Sequence, residues 1–562
     1  MTVVRRLMIL VGASLMATVV TAQTTSATAP RKTEAVSAET DRDVDNSRAL
    51  RLSLDDAVKT AVEQNLGVKL VSYDTDMAGE GLRGQYGTFD PVATADVEHQ
   101  SNKSATTSTF APSSSRSTSA NFGLAQFLPT GGNYNVGWTN SRATTAGGGS
   151  FVSPAYRSGL SLSANQPLLR NFGTDINRRG ILIARNSHGI SLEQFRAQLM
   201  DTAVSVEQAY LDLVYSRRNV EVVKESLFLA RDQSRITQIR IDVGASAPLD
   251  ILQPRVTIAT SEEQLIFAVA SVRDAEDRLR ALMNLDRAEW DRPIIPTNEV
   301  AFAPMAINAD EAVARALELR PEMRQQNLSI DTRQIQSQYA RNQVLPRFDV
   351  GVSYNAAGVA GRSLEFDPIT GQPTGRVTST GYTRSLNQVF QNEFPSWSVG
   401  FSVGVPITNI GARAERRRAE LDLERSRVHR QSFEQTITLD VRKAIRDVDT
   451  SARSITASRA ARDAAERNLD AERKRYENGM TTNFQVLQVQ QQLADSRVRE
   501  LQALVGYNKA ISIYHRAVGD VLEQRNIRVE TPQAKKPTYW FMGLEKIDWL
   551  KYSSRAGSGE PE

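Results

Sequence analysis

Two hydrophobic periods divide this chain. The first has period two. In WSVGFSVGV (397–405), Trp397, Val399, Phe401, Val403 and Val405 alternate with Ser398, Gly400, Ser402 and Gly404, which predicts a strand with one apolar face and one small polar face. Leu160, Leu162 and Ala164 alternate in the same way with Ser161, Ser163 and Asn165, and Tyr134, Val136 and Trp138 with Asn135, Gly137 and Thr139. A soluble sandwich strand would show the same alternation. These strands, however, carry almost no charge, run for about nine to eleven residues, have aromatics near their ends and are joined by long Ser/Thr/Gly-rich loops. Those are marks of an outer-membrane barrel strand.

The second period is helical. No proline occurs between Pro167 and Pro248, and residues 412–478 contain neither glycine nor proline. At about 1.5 Å per residue the latter stretch makes a helix roughly 100 Å long. Propensity alone does not hold such a rod in water, so packed apolar seams must. One seam carries Ile190, Ala197, Val204 and Leu211, a second Val206, Tyr210, Leu213 and Val220. Two seams on one helix require a neighbour on each side, as in the wall of a tube. Ile437, Ala444, Ser451, Ser458 and Ala465 repeat the spacing of seven with small residues, which permits close helix approach.

The pattern also repeats at long range. LSLDDAVKTAVEQN (52–65) matches INADEAVARALELR (307–320), and Pro91 in FDPVATADV matches Pro346 in VLPRFDVGV. QPLLRNFG (166–173) matches VPITNIG (405–411), and VGASAPLDILQ (243–253) matches NGMTTNFQVLQ (478–488). Four landmarks in the same order predict two structural repeats. Val243, Gly244, Pro248, Asn478 and Gly479 then mark turns where long helices reverse. Pro167, Gly173, Pro406 and Gly411 mark strand-to-helix junctions. The expected layout is a leader segment over 1–22, a disordered linker over 23–49, repeat 1 over 50–290, an inter-repeat linker over 291–306, repeat 2 over 307–523 and a tail over 524–562.

Composition narrows the chemistry. The leader reading rests on Arg5 and Arg6 before an apolar run and on small residues at Val20-Thr21-Ala22, the pattern of an export signal. Among 562 residues there is no cysteine, hence no thiol for a disulfide, a metal, catalysis or lipid attachment. His99, His188, His429 and His515 stand far apart and fit no metal-ligand spacing. No phosphate-binding glycine loop or hydrolase elbow is present, so neither a cofactor nor an enzyme is expected. The formal charge is +4, with acids and bases interspersed along the helices, which gives no reason to propose nucleic acid. Arg178-Arg179 and Arg416-Arg417-Arg418 stand just past the two junctions, where cations oppose the helix dipole. Inner-leaflet phosphates and plain solvation are equal candidates to compensate them.

In their order, LSLDDAVKTAVEQN, QPLLRNFG, VGASAPLDILQ, VPITNIG and YENGMTTNFQVLQ resemble the TolC family of outer-membrane efflux channels, over about residues 50–523. The fold expected is mainly α with β: two repeats, long helical hairpins forming a periplasmic α-barrel, and antiparallel strands contributing to an outer-membrane β-barrel shared by a homotrimer. The resemblance implies four strands per chain in a twelve-stranded barrel, an exit duct for efflux or type I secretion, and docking to a periplasmic adaptor and an inner-membrane pump. It places Asp250 and Tyr476 in contacts that hold the tip closed. Thr481 stands where well-known members carry a latching arginine, and Gln485 and Gln488 where they carry aspartates lining the constriction. A periplasmic coiled-coil adaptor and a structural envelope protein are the competing readings. The first would show one hairpin between β-rich domains, and the second would lack the strands.

Overall fold

The computed structural model describes residues 49–105, 112–146, 152–366, 369 and 373–527. The expected leader, the linker apart from Ala49, and most of the tail lie outside the described residues.

Repeat 1 opens with strand β1 (Leu50–Leu52) and helices α1 (Leu54–Gln64) and α2 (Leu66–Tyr86). Ser53 and Asn65 start these helices: the Ser53 hydroxyl accepts from the Asp56 N–H at 3.1 Å and the Asn65 side-chain carbonyl from the Gly67 N–H at 2.8 Å. Each such cap is worth on the order of 1 kcal/mol. Strands β2 (Val92–Lys103), β3 (Ser114–Phe127), β4 (Asn133–Ala146) and β5 (Val152–Pro167) follow. Then come the short α3 (Thr174–Asn177), the long α4 (Arg179–Asp242) and the returning α5 (Leu252–Met283). Strand β6 (Ile294–Pro296) falls within the span expected to be a linker and pairs in parallel with β1, Leu50 opposite Ile294.

Repeat 2 runs the same course: α6 (Ala309–Leu319), α7 (Pro321–Gln343), β7 (Arg347–Phe366), β8 (Pro373–Ser379), α8 (Tyr382–Phe390), β9 (Phe394–Gly404), α9 (Ile410–Glu477), α10 (Asn483–Val518) and α11 (Val521–Gln524). With 64 residues, α4 is about 96 Å long, and α9 with 68 about 100 Å. Along α4 lie α2 and α5, and along α9 lie α7 and α10, so pairs of shorter helices match each long one.

Two cores brace the rods at mid-length. Ala57, Val58, Ala203, Val206, Leu213, Leu279 and Met283 form one, Ala316, Ile437, Val441, Ile455 and Tyr507 the other. The predicted seam residues Tyr210 and Leu213 are buried here, as are Ile437 and Ala444, whereas Ser451, Ser458 and Ala465 are half-buried. In each core a buried tyrosine ties the rod to an adjoining extended segment: Tyr210 donates to the Leu52 carbonyl at 3.1 Å, Tyr507 to that of Ala303 at 2.7 Å.

The sheet is antiparallel in the order β2-β3-β4-β5-β7, with β8 and β9 sharing the far edge of β7. It departs from the four strands implied by the resemblance: among the described residues six long strands are present, and hairpin β3-β4 is the addition. Strand length departs too, since the six run from 11 to 20 residues. They continue beyond the apolar rows into polar ends that need no lipid. The register brings the apolar sets onto one face: Trp138 opposite Leu160, Leu162 opposite Tyr354, Val352 opposite Val399 and Val350 opposite Phe401. Phe401 and Val403 are 69% and 67% exposed there, although apolar. Apolar rows from Phe348 to Ala356 cover nine residues, about 30 Å along the strand and about 20–25 Å once tilted, close to the apolar band of a membrane barrel. No described helix is long and apolar enough to cross a membrane.

Candidate functional site

At the far ends of the rods, two turns are built alike. The Ala245 N–H donates to the Arg240 carbonyl at 2.7 Å and the Met480 N–H to the Arg475 carbonyl at 2.9 Å. Gly244 and Gly479 sit at φ +77° and +73°, left-handed values that suit glycine as the residue ending a helix. Val243, Asn478 and Gly479 are exposed at these tips, and Pro248 opens the return in repeat 1 as the first residue of a 3-10 turn.

The returns differ in how they are capped. In repeat 2 the Thr482 hydroxyl caps α10. The matching Ala247 has no side-chain oxygen, and the Asp250 carboxylate accepts from the Ala247 N–H at 3.1 Å instead. Asp250 therefore serves its own turn rather than meeting Tyr476 within the chain. Tyr476 is buried under the Arg240 guanidinium, which lies 4.3 Å from its ring centre, and its hydroxyl finds no partner among the described residues. Thr481 donates to the buried Glu472 carboxylate, which also pairs with Arg475 at 3.3 Å. Gln485 and Gln488 are both exposed on α10, while Val486, Leu487 and Val489 between and beside them are buried. The hairpins are pinned together by Gln233 donating to Asn483 at 2.7 Å. Arg240 and Gln233 carry tip contacts that no motif in the sequence marked, and Asn483 lies within the matched tip motif without having been singled out.

At the other ends, Pro167 is buried at the end of β5 and Gly173 sits at φ +107° before α3. Pro406 is exposed between β9 and α9. Gly411 is the second residue of α9 and makes no turn. The shared turn residue is the asparagine: Asn171 and Asn409, aligned in QPLLRNFG and VPITNIG, both adopt positive φ, 64° and 44°. Short polar side chains visit this region because they can bond locally. Both junctions are tied to the end of α7: the Asn171 N–H donates to Asn342 at 2.7 Å, and Asn409 donates to the Val344 carbonyl at 2.8 Å. The arginines past the junctions have partners within the chain. Arg179 stacks 3.3 Å from the Tyr339 ring centre, and Arg416, Arg417 and Arg418 pair with Glu420, Glu424 and Glu415.

This arrangement of two helical hairpins under a one-sided apolar sheet has known counterparts. A profile of the outer membrane efflux protein family matches residues 119–285 and 312–510, most of both repeats. The alkaline protease secretion protein AprF of Pseudomonas aeruginosa is 24% identical over 378 residues, covering 64% of this chain and 70% of that protein. The outer membrane efflux protein BepC of Brucella suis biovar 1 is 23% identical over 347 residues, covering 61% of this chain and 68% of that protein. The outer-membrane channel OprN superposes with a TM-score of 0.59 at 16% identity, over 83% of this chain and 89% of that one. The Campylobacter jejuni CmeC outer membrane channel gives 0.58 at 17% identity, over 83% and 85%.

The chain belongs to the outer membrane efflux protein family. It is an outer-membrane exit duct with a long helical portion on the periplasmic side, and the family is one of transport proteins.

Proposed function

We propose that three copies of this chain close one tube that passively conducts substrates from a periplasmic adaptor and inner-membrane pump to the exterior. The observation that carries this reading is the sheet itself: among the described residues it has one apolar face and two outer edges, β2 on one side and β9 with the shorter β8 on the other. Open edges do not persist in hydrocarbon. Pairing β9 of one copy with β2 of the next joins the edges that flank the apolar rows, and three copies of six long strands close a barrel of eighteen. AprF is named for secretion of a protease and BepC for efflux, and the same passive duct serves either cargo.

The tips form the gate. Gln485 and Gln488 lie about one turn apart on the exposed side of α10, so three copies present two rings of amides to the lumen. Rings of carboxylates attract multivalent cations, whereas amides offer hydrogen bonds without net charge. Gate closure then rests on packing and hydrogen bonding around Tyr476 and Asp250. Planar-bilayer recording tests this: the parent channel is expected to show weak cation preference and little block by trivalent cations. Gln485→Asp with Gln488→Asp should create strong cation selectivity and trivalent block. If the double mutant conducts like the parent, the two glutamines do not line the constriction.

A further inference from the structure

On the rows that the register fixes, the apolar face of the six long strands carries no carboxylate, and its described cations stand at one end. Lys103, Arg116 and Arg142 share this face, as the register shows: Arg142 lies opposite Thr118 and Tyr156, Arg116 opposite Thr144, and Lys103 opposite Ser114, while Arg362 stands at the same end of β7, within the register shift that follows Gly361. All four are exposed. Arg142, Arg116 and Lys103 occupy consecutive rows beginning two rows beyond Trp138 and Leu160, where the apolar band ends. The strand acids Asp96, Glu98 and Asp349 are on the opposite, polar face, as their register shows, and Glu365 stands in the register shift near the end of β7.

The side chains of these four cations make no hydrogen bond or ion pair with a described residue; Arg142 has only the Tyr156 ring, 6.0 Å away. Arg416, Arg417 and Arg418 at the opposite end of the sheet are each paired with a glutamate. Cations without a described partner therefore collect at this rim. Just below them, α8 lies on the same face. The Ser385 hydroxyl meets that of Ser158 at 3.0 Å, Tyr382 donates to Asn140 at 2.6 Å, and the Phe390 ring centre is 5.6 Å from that of Trp138. An amphipathic helix and an aromatic cluster at this height mark the level at which acyl chains give way to headgroups.

We infer that Lys103, Arg116, Arg142 and Arg362 form a collar for acyl lipids of the outer leaflet whose headgroups carry more than one phosphate. The collar extends the barrel reading above, since it needs the apolar face to be in the membrane. A lipid seated here lays its chains beside α8 over the exposed Phe122 and Val97 of the same face and brings its phosphates to the cations, of which the guanidinium groups bind phosphate in a two-pronged geometry. From β2 to β7 the collar spans four strand spacings, about 19 Å, wider than a single phosphate bridges.

The test uses the full chain purified as the oligomer and reconstituted in phosphatidylcholine vesicles doped with diphosphoryl lipid A or with its dephosphorylated form. Lipid retained through detergent exchange is counted by mass spectrometry. The parent should retain the phosphorylated form at least ten-fold over the dephosphorylated one, and less so at high salt. The variant with Lys103→Gln, Arg116→Gln, Arg142→Gln and Arg362→Gln should lose that preference, while Arg416→Gln with Arg417→Gln and Arg418→Gln keeps it. A conducting parent that does not distinguish the two lipids overturns the collar, and this arm holds even where the fourfold variant fails to assemble. An assembled fourfold variant with undiminished preference overturns it as well. A parent that neither inserts nor conducts overturns the duct reading instead.

Discussion

At the scale of the residue, what matters is which face a side chain meets. Phe401 and Val403 are apolar and exposed in the single chain, as the proposed barrel requires of side chains that meet lipid. Phe401→Arg should destabilise the barrel by about 2–4 kcal/mol, the cost of a lipid-facing cation near the midplane. The yield of heat-resistant oligomer in outer-membrane fractions should fall accordingly, and an unchanged yield would mean that Phe401 does not face lipid. These positions were legible from alternation alone, since a period of two leaves only two faces. Asn171 and Asn409 were not, although they align between the repeats. Glycine is the residue expected at positive φ, and Gly411 stood next to the turn that Asn409 makes.

At the scale of the element, the long rods depend on how shorter helices lie against them. His188 of α4 is buried beside α2: a Cβ added at Gly79 would come within 3.5 Å of its ring nitrogen. Burial pushes the imidazole below its ordinary value, and the nearby Asp76 offsets this only in part. A folded-state value below the unfolded one means that the associated stability is present above the unfolded pKa of about 6.5 and is lost as pH falls through the folded value. The thermal midpoint of helix loss, followed by circular dichroism, should therefore drop more steeply on acidification from neutral pH for the parent than for His188→Gln. Equal slopes would show that His188 remains equally easy to protonate in the folded state. The rods themselves were legible as stretches free of proline and glycine. The partners that flank them were not, because a seam announces a neighbour without naming it.

At the scale of the whole molecule, two repeats become one wall. Strand β5 of repeat 1 pairs with β7 of repeat 2, Leu162 opposite Tyr354, while α4 packs against both α7 and α10. The assembly then needs only its two open edges joined. Among the 562 residues there is no native cysteine to interfere, so cysteines placed in pairs along β2 and β9 report that junction directly. Oxidation of membranes carrying such pairs should produce covalent trimers in denaturing gels for the pairs in register. Dimers with no trimer at any register would rule out a closed ring of three.

Much of this protein was set by its sequence. Period two with apolar rows almost free of charge meant a membrane sheet, uninterrupted helical stretches meant rods, and the aligned motifs meant two copies of one plan. These are local properties, written in consecutive residues. The tertiary structure decided the rest. Hairpin β3-β4 joins the same sheet, which changes the strand count. Asp250 caps its own turn because Ala247 cannot, and Tyr476 meets Arg240. Lys103, Arg116, Arg142 and Arg362, scattered over four strands, come to one rim. Each of these depends on register or on packing between segments distant in the chain, where spacing along the sequence does not determine which side chains become neighbours.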